Sequence, residues 1–353
     1  MKNIKQAEPI TRKRLRMRPF MMKFFAGLAV VTVLGYVGYW FWLANEISDG
    51  IDAWVAAEQV EGRIVAFGER EISGFPGDMQ FSFQGISYED RARGRTLHLP
   101  ALTGSMSPLD LGRIIGRAEG PLVVILEKGP APGRYEISAA DNAIRYRAAE
   151  PQEVVVNMRG VRVSGAEALD GLTAKKFDIG MERGSVPVFG TFSIDAEGID
   201  LPPAHVTPLA DNVRYLQVVA DLKGAVPPAA ITSAGLEAWR KDGGDIDFRK
   251  LAFGHGDADV AAEGTLALDD DLQPIAAFTA KVSGFAETID TLIQAGYVRP
   301  QEGGMAKAVL GFLARTPKGG GPPTLGAAIS VQDRELSVGP VKLMRLPYVR
   351  WDE

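Results

Sequence analysis

The residues whose types and spacing come closest to chemistry are Gly254-His255-Gly256-Asp257-Ala258-Asp259, which place an imidazole and two carboxylates within five positions. Both groups are metal ligands, so a small metal site is one reading. A hairpin turn draws on the same residues, because Gly and Asp accept the backbone angles of a tight reversal. His255 falls between two predicted strands, and the turn is the reading adopted. His98, in a predicted strand, and His205, in a proline-rich loop, lie far away in sequence.

The other candidates resolve the same way. Asp269-Asp270-Asp271 offers oxygen ligands of the kind calcium takes, yet a lone acidic run of this length reads as a solvated turn. Gly319-Gly320-Gly321 lacks the Lys and the strand-helix setting of a phosphate loop. Arg91-Ala92-Arg93-Gly94-Arg95 could meet phosphate-bearing headgroups, and reads more simply as a charged loop. Phe75-Pro76 is expected to be a packed turn, with Phe75 as the anchor and Pro76 fixing the bend. No G-x-S-x-G elbow and no H-E-x-x-H helix occurs, and nothing sets two carboxylates opposite each other. The expectation is therefore a non-enzymatic protein without catalytic residue, cofactor or metal.

The elements around these residues carry more information. Phe24 to Leu43 is an unbroken apolar run behind a basic arm. At about 1.5 Å per residue a helix of this length crosses the ~30 Å hydrocarbon core of a bilayer. Residues 1–23 hold Lys2, Lys5, Arg12, Lys13, Arg14, Arg16, Arg18 and Lys23 against Glu8, a net of +7, so the remainder carries -12 of the overall -5. Positive charge beside a span stays on the cytoplasmic side, which predicts a cytoplasmic N-terminus and a periplasmic acidic body. Such a body is poorly suited to nucleic acid. The absence of cysteine excludes disulfides, thiolate metal sites and a lipidated cysteine. A cleaved signal peptide is disfavoured, because the run is long and Trp40, Phe41, Trp42 and Leu43 crowd its exit where small residues would be needed.

Four segments follow from this: a basic arm at 1–23, a membrane anchor at 24–43, an amphipathic helical extension at 44–61 and a β-rich domain at 62–353. In the extension, Ile47, Ile51, Trp54 and Val55 make one apolar stripe, which is expected to pack on the domain and stop at Gly62. Beyond it, short strand signals alternate with Gly, Pro, Asp and Asn turns. Ser107-Pro108 looks like a helix start over Leu111, Ile114 and Ile115. Val213 to Leu222 fits a helix stripe, although its surroundings favour a strand. Helices are predicted over Ser233 to Lys241, with Leu236 and Trp239 inward, over Phe285 to Ala295 and over Met305 to Ala314. Lys318 to Pro323 reads as a connector, and Leu325 to Val341 as a closing hairpin. The fold class expected is α+β and β-dominated: a transmembrane helix, then a large curved antiparallel sheet with short helical inserts.

A set of ordered motifs carries a resemblance. They are the anchor leading into a Trp-bearing helix, Gly74-Phe75-Pro76, Trp239-Arg240-Lys241-Asp242-Gly243-Gly244, and Ile246, Phe248 and Leu251. Gly264-Thr265-Leu266-Ala267-Leu268-Asp269, Val338-Gly339-Pro340-Val341 and Pro347 complete it. Together they resemble the domain of unknown function 2125 family of Gram-negative bacteria. The second half is also similar, more loosely, to AsmA-like envelope proteins. That likeness implies an anchored periplasmic sheet that curls into an open groove for lipid. The expected partners are the bilayer, crossed once, and lipid or other envelope proteins; a scaffold role is the alternative, and a hydrolase the third.

Overall fold

The computed structural model describes residues 19–128, 131–205, 207–225, 232–316, 321–339 and 341–351. Most of the basic arm, Pro227-Pro228, Pro340 and the first half of the Lys318 to Pro323 connector, including Gly319 and Gly320, lie outside the described residues. The chain divides into two compact units, Met1–Asp52 and Ala53–Glu353.

Helix α1 (Pro19–Val60) runs without a break through the apolar stretch and the extension. No proline interrupts its hydrogen-bond ladder after Pro19, so nothing in the sequence ends it sooner. It stops where Gly62 takes φ +77° and donates its N–H to Gln59 O at 3.0 Å, a left-handed close that glycine adopts without a Cβ penalty. The last turn is tied forward: Arg63 pairs with Glu58, and with Glu61 at 2.5 Å.

Among its described residues the second unit holds one antiparallel sheet of eighteen strands. β1 (Arg63–Ala66) and β2 (Arg70–Ser73) lie end to end along β3 (Met79–Asp90). β3 pairs with β4 (Arg95–Ser107), which is long enough to hold two partners. The second half of β4 takes β5 (Asp110–Glu119), and its first residues take β6 (Leu122–Leu126). β7 (Gly133–Ser138) pairs with β6, and β8 (Asp141–Arg147) with β5; both then land on β9 (Glu153–Gly165). From β9 the sheet is a meander through β10 (Thr173–Arg183), β11 (Val188–Asp200), β12 (Asn212–Lys223), β13 (Ile246–His255) and β14 (Ala258–Leu268). It continues through β15 (Pro274–Ser283), β16 (Leu325–Gln332), β17 (Glu335–Val338) and β18 (Val341–Arg345).

Antiparallel order sends successive connections to opposite rims of the sheet. The register places Arg63 beside Asp90, Arg95 beside Leu126, Asp200 beside Asn212, His255 beside Ala258 and Val282 beside Leu325. These positions define an entry rim, where the chain arrives from α1. It also carries α3 (Phe285–Gln294) and α4 (Pro300–Leu313), inserted between β15 and β16. The far rim carries the Gly74 turn, the Ser107 turn and α2 (Ser233–Lys241) between β12 and β13.

The region after Ser107-Pro108 departs from its expected helix. Leu111, Ile114 and Ile115 belong to β5, with Ile114 opposite Met106 and Ile115 opposite Ser105. The side chains of Ser107 and Asp110 accept from the N–H groups of Leu109 and Gly112, at 3.4 and 3.2 Å, and so build a turn rather than a helix cap. Gly112 and Gly116 weaken a helix, whereas the second half of β4 supplies backbone groups that need a partner. Val213 to Leu222 is strand β12.

A clasp on the far rim joins distant parts of the unit. Gln273, 3 % exposed, donates to Asp271 O at 3.2 Å and to Val349 O at 3.1 Å, and accepts from Val349 N–H at 2.9 Å. Trp351 Nε1 donates to Leu272 O at 2.8 Å.

Candidate functional site

The sheet has two unlike faces, and the pairing register decides which side chains share each. Opposite residues of an antiparallel pair lie on the same face. One row reads Ile144, Val156, Ile179, Ile194, Val218, Leu251, Ala262, Ala280 and Ala327 across nine strands. The next reads Tyr146, Val154, Met181, Phe192, Ala220, Phe248, Gly264, Phe278, Ile329 and Val338. Neither row contains a charge. The alternation inside each strand made these residues neighbours on a face, and the short turns brought the strands into phase.

This face is screened but not closed. Ile179 and Phe192 each keep 38 % of their surface, where residues in a closed core would keep almost none. Small residues deepen it toward β14. Gly264 sits between Phe248 and Phe278, whose rings meet at 5.5 Å and 53°. A Cβ on Gly264 would lie 2.2 Å from Ala277 O and 2.7 Å from Phe278 Cδ1, so glycine is needed for the rings to lean together.

The opposite face is polar and already paired. Glu182, Thr191, Asp221, Asp247 and Thr265 form one row. Arg159 meets Asp178 at 2.5 Å, and Lys176 meets Asp195 and Glu197 at 2.6 and 3.0 Å. The Asp195 and Glu197 carboxylates hold the Lys176 amine above its usual range. Burial opposes ionisation of Asp178, but hydrogen bonds from Arg159 and Asn157 outweigh it and leave the carboxyl below the usual range. A cavity of about 640 Å³ is lined by Asp247, Arg249, Glu263 and Thr279 of the polar rows together with Phe248, Phe278 and Ile329 of the apolar ones.

The stretch at His255 is a hairpin turn. Its ring donates through Nδ1 to Asn212 O at 2.8 Å, which leaves Nε2 to accept from the Thr207 hydroxyl at 2.6 Å. Asp259 accepts from Arg214 at 2.9 Å and from the Tyr215 hydroxyl at 2.7 Å, and Arg214 also clamps the turn through Gly256 O at 3.1 Å. Among the described residues no three His, Asp or Glu side chains gather as a metal would require. His98 lies exposed in β4, and His205 bonds Ala168 O at 2.9 Å. Asp269 accepts from the N–H groups of Asp271 and Gln273 and shapes its turn, while Asp270 pairs with Arg240 at 2.6 Å. In the arginine loop, Arg91 pairs with Glu89 at 2.6 Å and Arg93 with the buried Asp90 at 2.7 Å.

The named structural residues fare unevenly. Phe24 lies in α1, its side chain outside the described residues, and Leu43 is buried. Trp54 was expected to pack inward and is instead 50 % exposed, its indole bonded to the Glu58 carboxylate that holds Arg63. Phe75 is 43 % exposed. That turn is set by Gly74, at φ +105°, where a Cβ would lie 2.1 Å from Asp78 O, and Met79 is the fully buried residue beside it. Trp239 faces inward as expected, 6 % exposed, with Nε1 donating to Lys223 O at 2.7 Å. Sequence reasoning missed Gly303 and Gln273. Pro300 at the first position of α4 and the glycine pair after it were the available signals for the first.

The family model DUF2125, described as an uncharacterized protein conserved in bacteria, matches residues 40–347. The chain belongs to this family. Its matched span takes in α1 from Trp40 onward and all strands of the sheet. No curated protein and no solved structure matches. One helix, α1, is long and apolar enough to cross a membrane among the described residues.

Proposed function

We propose that this chain is a non-enzymatic protein of the bacterial envelope. α1 anchors it once in the inner membrane with the N-terminus in the cytoplasm, and its periplasmic sheet shields acyl chains along the apolar face. The observation that carries the reading is the charge-free pair of rows running from β8 to β16. Burying apolar area is worth roughly 25 cal/mol per Å², so a half-exposed face of this length favours an apolar occupant over water. The basic arm and the cysteine-free sequence suit that topology, and the likeness of the second half to AsmA-like envelope proteins points the same way.

Neighbouring residues on opposite faces provide the test. A photoreactive benzophenone side chain placed at Ile194 in the full chain should capture phospholipid on illumination, and one at Asp195 should not. Adducts read by mass spectrometry in equal amounts from both positions, or from neither, would sink the reading.

A scaffold role is favoured by one separate observation. Leu109 and Val186, at two hairpin tips of the far rim, are 84 % and 98 % exposed. Stoichiometric co-purification of another envelope protein, lost on replacing both by Ser, would support that second reading.

A further inference from the structure

We infer that Met181 is the position at which an oxidant reaches the apolar face, its sulfoxide releasing the bound acyl chain. The inference rests on the reading that this face holds acyl chains and adds a regulation to it. The second apolar row begins further back than Tyr146. Met79 lies opposite Met106, Met106 opposite Ile114, and Ile114 opposite Tyr146. The row then passes through Val154 to Met181 and Phe192. It therefore carries Met79, Met106 and Met181, and these are not equal. Met79 and Met106 keep 0 % and 7 % of their surface, whereas Met181 keeps 37 %. Two residues along β11 from Phe192, Gly190 has no side chain to shield the thioether. A Cβ there would lie 3.9 Å from Met181 Cε.

Composition and exposure together single out this sulfur. The chain has no cysteine, so thioethers are the sulfur that a peroxide meets. Met305 and Met344, 71 % and 55 % exposed, lie on α4 and β18 outside the two rows, and their oxidation leaves the rows intact. Within the two rows, Met181 is the methionine that a solute can touch. The oxidant is a peroxide. A sulfur lone pair attacks one peroxide oxygen and forms the S–O bond as the O–O bond breaks. Sulfur loses two electrons, and the second oxygen takes a proton and leaves as water. The product is a polar hydrogen-bond acceptor where an apolar side chain stood. Val154, Ile179, Phe192 and Ile194 surround it in the register, and none has a side-chain donor to pair with it. An acyl chain laid over that group would bury it unpaired, which weakens the contact.

Hydrogen peroxide applied to the full chain in detergent is the probe. The readout is affinity for phosphatidylglycerol carrying one pyrene-labelled acyl chain. Peptide mapping should find sulfoxide at Met181, Met305 and Met344, while Met79 and Met106 stay reduced. Affinity should fall about tenfold in the wild-type chain, and methionine sulfoxide reductase with dithiothreitol should restore it. Met181→Leu keeps the side-chain volume, so it should bind as wild type before treatment and lose less than about twofold after it. Met181→Gln should bind about tenfold more weakly without any peroxide. An equal loss in Met181→Leu, or undiminished affinity in a chain oxidised at Met181, overturns the inference and leaves the acyl reading standing. Oxidation of Met79 as fast as Met181 also overturns it, because the row would then be open throughout. Absence of lipid binding in the untreated chain defeats the acyl reading and the inference together.

Discussion

Helices α2 and α4 are both inserted between neighbouring strands, at opposite rims, and they solve the same problem in opposite ways. α2 buries its largest apolar residue: Trp239 fills a niche that Gly224 and Gly244 keep open, and a Cβ on Gly244 would strike the indole at 2.3 Å. Its N-terminus is capped by Thr232, which accepts from Gly235 N–H, and it turns Glu237 and Lys241 to water. α4 buries a glycine and turns Met305, Val309 and Phe312 outward. One insert hides its largest side chain within its own unit; the other leaves its large side chains exposed. Helical periodicity alone does not distinguish them, because it reports that a stripe exists and not which side meets the protein.

The largest expected effect tests the first half of that contrast. Trp239→Ala should destabilise the domain by about 3–5 kcal/mol, as for other large-to-small changes at buried aromatics. Phe312→Ala should change stability by under about 0.5 kcal/mol. Urea unfolding of the full chain in nanodiscs would compare them, and equal losses would erase the distinction.

Next in size are the two glycines that make room for side chains. Gly303→Val should cost roughly 1–3 kcal/mol by driving a branched side chain into Ile293, and should speed hydrogen exchange in α4 without touching α2. Gly264→Ala should cost a similar amount, about 1–3 kcal/mol, because the added carbon meets the backbone at Ala277, and should lower lipid capture at Ile194. Unchanged exchange or unchanged capture would count against each in turn.

The smallest effect is electrostatic and belongs to the polar face. Asp178 has a carboxyl held below its usual range in the folded chain. Its stabilising contribution is therefore present above the unfolded carboxylate pKa of about 4 and is lost as pH falls through the lower folded value. Asp178→Asn should flatten that acid limb by no more than about 1 kcal/mol, since its partner Arg159 is half in water. A steeper acid limb in the variant would reverse the sign and refute the assignment.

Much of this fold was legible because local chemistry and tertiary context agree. The α2 bounds, the inward Trp239, the turns at His255 and Asp269 and the strand at β12 all follow from caps, turn residues and alternation. The failures have a common physical cause. Leu111, Ile114 and Ile115 keep a helical spacing, but half of a thirteen-residue β4 stood ready to pair, and a sheet edge outweighs a short amphipathic pattern. Trp54 falls on a helical stripe whose spacing marks a face but not which side is covered, and Glu58 decides that corner instead. The two-faced character of the sheet depended on register across nine strands, which no single segment encodes.

The Gln273 clasp has a consequence for synthesis. Translation delivers Gln273 76 residues before Val349, so its buried amide must wait for partners that the ribosome has not yet made. Until Val349 arrives, the carboxamide keeps only its bond to Asp271 O within the turn, and a chain truncated ahead of Val349 would lack the other two permanently. Such a chain would hold its far rim less firmly, because the bonds from Val349 and Trp351 are what tie the segment after β18 to the β14–β15 turn.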